Sequence, residues 1–215
     1  MTYKAVIFDL DGTLINTIED LTDSINTVLK SYNFPTHSYE VCKEFIGSGI
    51  RNLVIKALPE THRDDAQINS AFDAMITIYR DQCIVKTKPY NGIIELLDQL
   101  KSRSLKLSVL SNKADELTKK TVSALFPNYF EPVLGLTIEA HKKPNPIKAI
   151  EISKSLGIKP EDIIYVGDTG IDMQTANNAN MLAVGVSWGF RDKEELIDNG
   201  AKHIINTPLD LIELL

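Results

Sequence analysis

The chain has 215 residues, 43% of them hydrophobic and 24% charged, with a formal net charge of −6. That balance excludes a disordered chain and allows one large core or a core with a smaller companion, and the acidic excess excludes a broad nucleic-acid face, which needs a basic stripe. The only cysteines, Cys42 and Cys83, make no Cys-x-x-Cys pair and have no His cluster nearby, which excludes a disulfide framework or a zinc site and suits a reducing cytoplasm.

The first apolar run, Ala5-Val6-Ile7-Phe8, reads as a buried strand. No basic segment, long apolar stretch or cleavage site precedes it, so neither export nor membrane insertion is expected. The run leads into Asp9-Leu10-Asp11-Gly12-Thr13. Residues i and i+2 of a strand point the same way, and Gly12 permits the sharp exit from the sheet edge. Asp9 and Asp11 can therefore face one small volume, one as nucleophile or metal ligand and the other as proton carrier. Taken alone, an Asp-x-Asp-Gly run is more often a plain turn.

From about Asn16 to Cys83 no strand pattern is found, and apolar residues repeat at helical spacing: Leu21, Ile25, Val28 and Leu29, then Leu53, Val54, Ala57 and Leu58, then Phe72, Met75, Ile76 and Tyr79. Pro35, Pro59 and Gly47-Ser48-Gly49 separate these helices, and Lys88-Pro89-Tyr90-Asn91-Gly92 marks the return to alternating strands and helices. An insertion directly after the first strand belongs beside the carboxyl ends of the sheet, where open α/β sheets bind ligands, and would act as a lid.

Further strands are expected at Leu105 to Leu110, Val133-Leu134, Ile163 to Val166, Leu182 to Val186 and Ile204-Ile205, with helices carrying Ile93, Leu96, Leu97 and Leu100, and Ile147, Ile150, Ile152 and Leu156. This is the alternation of an α/β core with a parallel sheet. The second strand terminates in Ser111-Asn112-Lys113, where a hydroxyl and fresh backbone N–H groups suit phosphate oxygens, although Ser-Asn is also a common turn or cap. In His141-Lys142-Lys143-Pro144, the proline biases Lys143 towards an extended backbone. Lys143 is the cation expected to point inward, and Lys142 the solvated one. Gly167-Asp168-Thr169-Gly170-Ile171-Asp172 places two acids four residues apart at another strand end. Asp9 with Asp168 would make a hard oxygen site suited to Mg²⁺, while Asp172 also has the position of a helix cap.

In this order, the four strand-end motifs resemble those of the haloacid dehalogenase-like superfamily of phosphohydrolases, over the whole chain. The resemblance implies a Rossmann-like three-layer α/β core with a mostly parallel sheet, formed by residues 1–15 and 86–215, and an inserted α-helical cap at 16–85. It implies that Asp9 attacks phosphorus to form an aspartyl phosphate, that Asp11 acts as acid and then base, and that Ser111, Asn112 and Lys143 bind the phosphoryl oxygens, with Thr13 also on the substrate side. Mg²⁺ would be held by Asp9, the Asp11 carbonyl and Asp168, with Asp172 orienting them. Phe45-Ile46-Gly47-Ser48-Gly49-Ile50-Arg51 resembles the cap loop of phosphoglycolate phosphatases, and Gly185 to Phe190 their segment after the fifth strand. Gly47, Ser48, Gly49 and Arg51 thereby become candidate substrate binders, with an interhelical turn as the plain alternative for the glycines and simple exposure for Arg51. Asn16-Thr17 departs from the Asp-Ser or Glu-Ser common in the family.

The expected activity is Mg²⁺-dependent hydrolysis of a small phosphate monoester, in a cytoplasmic monomer or homodimer without nucleic-acid or membrane partners. A pyrophosphatase or phosphomutase of the same superfamily, and a non-catalytic binding or regulatory protein on this fold, are the alternatives. A dehalogenase would not need Asp11, Asp168 and Asp172. A phosphonate hydrolase would need a cap lysine for an imine and no second acid, and Lys56 alone does not supply that pattern.

Overall fold

The computed structural model describes residues 3–215. They form two compact units: Thr17–Lys88, and the described residues up to Asn16 together with Pro89–Leu215. The Thr17–Lys88 unit is helical, with α1 (Ile18–Ser31), α2 (Tyr39–Lys43), α3 (Gly49–Ala57) and α4 (Asp65–Gln82). In α1, the buried residues include the expected Leu21, Ile25, Val28 and Leu29. In α4 the buried stripe is Ile68, Ala71, Met75 and Tyr79. Phe72 and Ile76, expected on that stripe, are half-buried beside it.

One acid of α1 lies inside this unit. Asp20 accepts hydrogen bonds from Lys86 N at 3.0 Å, Thr87 N at 2.8 Å and Thr87 Oγ1 at 2.7 Å. A carboxylate fixed by two backbone N–H groups and a hydroxyl is well satisfied without water. It ties the first turn of α1 to the segment through which the chain leaves the unit.

The other unit contains β1 (Ala5–Phe8), β2 (Ile15–Asn16), α5 (Ile93–Ser102), β4 (Lys106–Ala114), α6 (Asp115–Leu125), β5 (Val133–Leu136), α7 (Ile147–Leu156), β6 (Ile163–Gly167), α8 (Gly170–Asn178), β7 (Leu182–Val186), α9 (Lys193–Asp198) and β8 (His203–Ile205), and the two-residue β3 (Lys88–Pro89) falls on the boundary in the chain between the units. Its main sheet has the order β5-β4-β1-β6-β7-β8, with parallel pairing throughout. Alternation along the strands sends Val6 and Phe8 to one face, with Leu96 and Leu97 of α5 and Val122 of α6. Ala5 and Ile7 go to the other, with Ile152 of α7, Met173 of α8 and Leu196 of α9. The result is the expected three-layer α/β architecture. Among the described residues, no helix is long and apolar enough to cross a membrane.

Two details of the sheet place the site. The chain moves outward from β1 through β4 to β5, then returns to the opposite side of β1 at β6. A crevice opens at the carboxyl ends where such an order reverses, and Asp9 and Asp168 flank it. Secondly, β4 runs to Ala114, past the expected end at Leu110, because its register against β5 shifts between Leu110↔Leu134 and Ala114↔Leu136. The extra residues form a bulge that carries Ser111, Asn112 and Lys113, and bulges re-aim side chains at a sheet's end.

Candidate active site

Asp9 directly follows β1, and its N–H donates to Val166 O at 2.9 Å, so the ladder to β6 holds it at the crevice. Its Oδ1 accepts from Leu10 N at 2.7 Å and pairs with Lys143 Nζ at 2.9 Å. Asp168 follows Gly167 at the end of β6; its Oδ1 accepts from Thr13 Oγ1 at 3.0 Å and its Oδ2 from Phe190 N at 2.8 Å. Gly12 makes this approach possible. It has φ +89°, and a Cβ there would collide with the Asp168 carboxylate and the Phe190 ring.

Lys143 is anchored from three directions. Its Nζ lies 2.6 Å from Asp172 Oδ1 and 2.9 Å from Asp9 Oδ1, and donates to Leu110 O at 3.3 Å. Its peptide groups are held by Asn112, whose Oδ1 accepts from Lys143 N at 2.9 Å and whose Nδ2 donates to Lys143 O at 3.4 Å. Asn112, expected on phosphoryl oxygens, thus has its amide on the backbone of the lysine expected there too. The Lys143–Pro144 peptide bond is cis. Asp172 does two things at once: Oδ1 takes Lys143, and Oδ2 accepts Thr169 N at 3.1 Å and Thr169 Oγ1 at 2.7 Å in a capping box at the start of α8.

Packing these charges together disturbs their protonation. Burial first, and then the charge of Asp172, hold the Asp9 carboxyl well above the usual carboxylate range despite Lys143. The same two causes push Asp168 up to about 7. For Lys143, burial opposes the ammonium, but Asp172 and Asp9 outweigh it and keep the lysine well above its ordinary value. Carboxylate oxygens of Asp9, Asp168 and Asp172 lie within 4.8 Å of one another. With Asp11, four carboxylates meet the two ammonium groups of Lys143 and Lys113. Such an oxygen-only, under-compensated cluster fits a hard divalent cation such as Mg²⁺. Asp172 gives Oδ1 to the Lys143 ammonium, whereas Asp168 meets a hydroxyl and a backbone N–H, so Asp9 and Asp168 are the better placed ligands.

Several participants were not legible in the sequence. Lys113 Nζ grips Asp11 with distances of 3.0 Å to Oδ1 and 3.3 Å to Oδ2. Its sequence signal was its place two residues after Ser111 on an extended strand, which sends both the same way. Ser111 Oγ accepts from Lys113 N at 3.2 Å, leaving its own O–H able to donate. Tyr90 lies close enough that burial, with the charges of Asp168 and Asp11, pushes its phenol up. Phe190 contributes only a backbone N–H, and Trp188 Nε1 donates to Thr13 O at 3.0 Å beside it. The remaining candidates belong to the helical unit: Gly47 and Gly49 have positive φ, Ser48 precedes α3, and Arg51 donates to Asn69 Oδ1 at 2.8 Å with its guanidinium over Phe72.

Comparison with known proteins follows the same lines. The family model described as haloacid dehalogenase-like hydrolase matches residues 6–186. A phosphoglycolate phosphatase of Aquifex aeolicus is 30% identical over 213 residues, covering 99% of this chain and 96% of the relative. One from Agrobacterium fabrum is 32% identical over 189 residues, covering 86% and 81%. Among solved structures, a predicted phosphoglycolate phosphatase from Lactobacillus delbrueckii subsp. bulgaricus superposes with a TM-score of 0.92 at 33% identity, covering 100% of this chain and 98% of the other.

Proposed function

The chain belongs to the haloacid dehalogenase-like hydrolase family, and from that premise we propose that it is a Mg²⁺-dependent cytoplasmic phosphatase of small phosphate monoesters, with 2-phosphoglycolate as its substrate. The observation that carries this reading is the buried Asp9–Lys143–Asp172 cluster with Asp168 at the crevice between β1 and β6. The substrate assignment leans on the names of the similar proteins.

In this reading Asp9 is the nucleophile. A carboxylate oxygen of Asp9 forms a bond to phosphorus as the bond from phosphorus to the alcohol oxygen breaks. Asp11 gives a proton to that departing oxygen. It then takes one from a water molecule, whose oxygen displaces Asp9 from phosphorus and releases phosphate. Lys143 holds Asp9 Oδ1 still and places its positive charge beside the phosphoryl group, to which the Ser111 hydroxyl offers a donor. Asp172 and Asn112 act through Lys143, fixing its ammonium and its peptide groups. A Mg²⁺ ion held by Asp9, the Asp11 carbonyl and Asp168 would neutralise charge on the phosphoryl group and reduce its repulsion with the nucleophile.

The test is a panel of phosphorylated metabolites, including 2-phosphoglycolate, pyrophosphate and hexose phosphates, assayed for released phosphate with Mg²⁺ and with a chelator. The expected result is release from 2-phosphoglycolate that stops on chelation and returns with Mg²⁺. Undiminished turnover in chelator contradicts the metal assignment; retention of phosphate on a product identifies a mutase instead.

A further inference from the structure

Glu195 lies outside the charged cluster, yet a chain of hydrogen bonds joins it to Asp168. It stands three residues after Asp192, the N-cap of α9, whose side chain accepts from Glu195 N at 2.8 Å. An acid at this position ordinarily folds back onto the N–H of its own cap, closing a capping box. The Glu195 side chain is directed elsewhere. Its Oε1 accepts from Gly170 N, the first N–H of α8, at 3.0 Å, and its Oε2 pairs with Arg191 Nε at 3.3 Å.

Both contacts run on to Asp168. Gly170 is two residues further along the chain, and its N–H is one that α8 cannot satisfy from within. Arg191 Nη1 donates to Phe190 O at 3.4 Å, and Phe190 N donates to Asp168 Oδ2 at 2.8 Å. The backbone between Trp188 and Phe190 is laid directly on the acid, for a Cβ on Gly189 would collide with the Asp168 side chain. Trp188 Nε1 on Thr13 O holds the other end of this segment, and Thr13 Oγ1 donates to Asp168 Oδ1. Glu195 therefore fixes both the helix start that follows Asp168 and the peptide that meets its Oδ2.

Each Asp168 oxygen accepts one donor and keeps a second lone-pair direction for a cation. A ligand whose orientation is set by its neighbours has little freedom left to lose on binding, which is why partners behind a metal ligand govern affinity. The Phe190 N–H also acts on charge: burial and Asp172 raise the Asp168 carboxyl, and this N–H pulls it back towards the ionised form that a cation needs.

We propose that Glu195 is a positioning residue that holds the Phe190 N–H and the start of α8 in register with Asp168, so that a divalent cation meets a carboxylate already in place. This rests on the Mg²⁺-dependent reading above and adds to it the residue that presents the ligand.

The experiment is calorimetric titration of the full chain with MgCl₂, without substrate, for wild type, Glu195→Ala, Glu195→Gln and Glu194→Ala, each checked for folding by circular dichroism. Glu194 is the exposed neighbour whose loss removes the same charge from α9. In Glu195→Ala the Kd for Mg²⁺ should rise about 10- to 100-fold, the scale for a partner behind a metal ligand. Glu195→Gln keeps an acceptor for Gly170 N and gives up the ion pair, so a smaller rise of about 3- to 10-fold is expected, and this variant decides the matter should the alanine variant not fold. Glu194→Ala should stay within about threefold of wild type, as a solvated charge does. A purely structural role would lower the urea midpoint and leave the Kd of the folded variants at the wild-type value, which overturns the proposal. Equal weakening by Glu194→Ala also overturns it, because charge and not contact would then be responsible. Absence of Mg²⁺ binding by wild type overturns the metal assignment and this one with it.

Discussion

Asp20 in the helical unit and Asp168 at the end of β6 are both shut away from water, at 2% and 0% exposure, and differ in what meets them. Asp20 sits alone among donors, with two backbone N–H groups and a hydroxyl at 2.7 to 3.0 Å. Asp168 receives one hydroxyl and one N–H and shares its surroundings with Asp9 and Asp172. A buried acid whose lone pairs are met by the fold is a fastening. Buried acids gathered so that their charge is not met are held there by the rest of the fold, and a cation or substrate supplies what is missing. The helical unit thus satisfies its buried charge internally, and the strand ends do not.

The strongest way to break this contrast is to remove Lys143, the cation paired with the nucleophile. Lys143→Met leaves Asp9 and Asp172 facing each other, so phosphate release should fall at least about 10³-fold and stability by about 3–5 kcal/mol. Steady-state kinetics and urea denaturation check the two effects. Full stability together with lost activity would mean that the acids are not strained by one another. Asp20→Ala probes the fastening. It leaves the N–H groups of Lys86 and Thr87 without their acceptor, with an expected loss of about 3 kcal/mol by urea denaturation, while kcat on an aryl phosphate stays within a factor of about three in the folded fraction.

A smaller, graded effect comes from pH. Asp168 is raised from an ordinary 3.8 to about 7, so the folded protein favours its neutral form. The stability this group contributes is full below the unfolded value and is lost as pH rises to about 7. Mg²⁺ requires the ionised form and competes with the proton. In calorimetric scans, the rise in Tm on adding Mg²⁺ should therefore grow as pH increases towards 7 and level off above it, and Asp168→Asn should lose that dependence. A Mg²⁺ effect that is flat from pH 5 to 8 would separate Asp168 from the metal.

Much of the core was legible because its signals are local. Apolar runs gave the strands, helical spacing gave the insertion, and Asp9, Asp11 and Gly12 lie within four residues of one another. The parts that escaped depend on contacts made across the chain. Lys113 and Asp11 are 102 positions apart, and Asn112 and Lys143 31 apart, so neither pairing leaves a spacing to read. Phe190 serves through an N–H that every residue but proline has. Asp20 is an acid in a helix's first turn, where the helix dipole already favours one, so its clamp on Lys86 and Thr87 had no separate mark. The bulge that extends β4 reflects its register against β5, which the composition of β4 does not encode.

The central claim is that Asp9 carries the phosphoryl group, and rapid acid quench of the enzyme during turnover of a substrate labelled in its phosphoryl group tests it most directly. Wild type should show label on the peptide containing Asp9, and Asp9→Asn should fold normally, show no label and release phosphate on the order of 10⁴-fold more slowly. Full phosphate release by Asp9→Asn, or label on a different residue, would contradict the account.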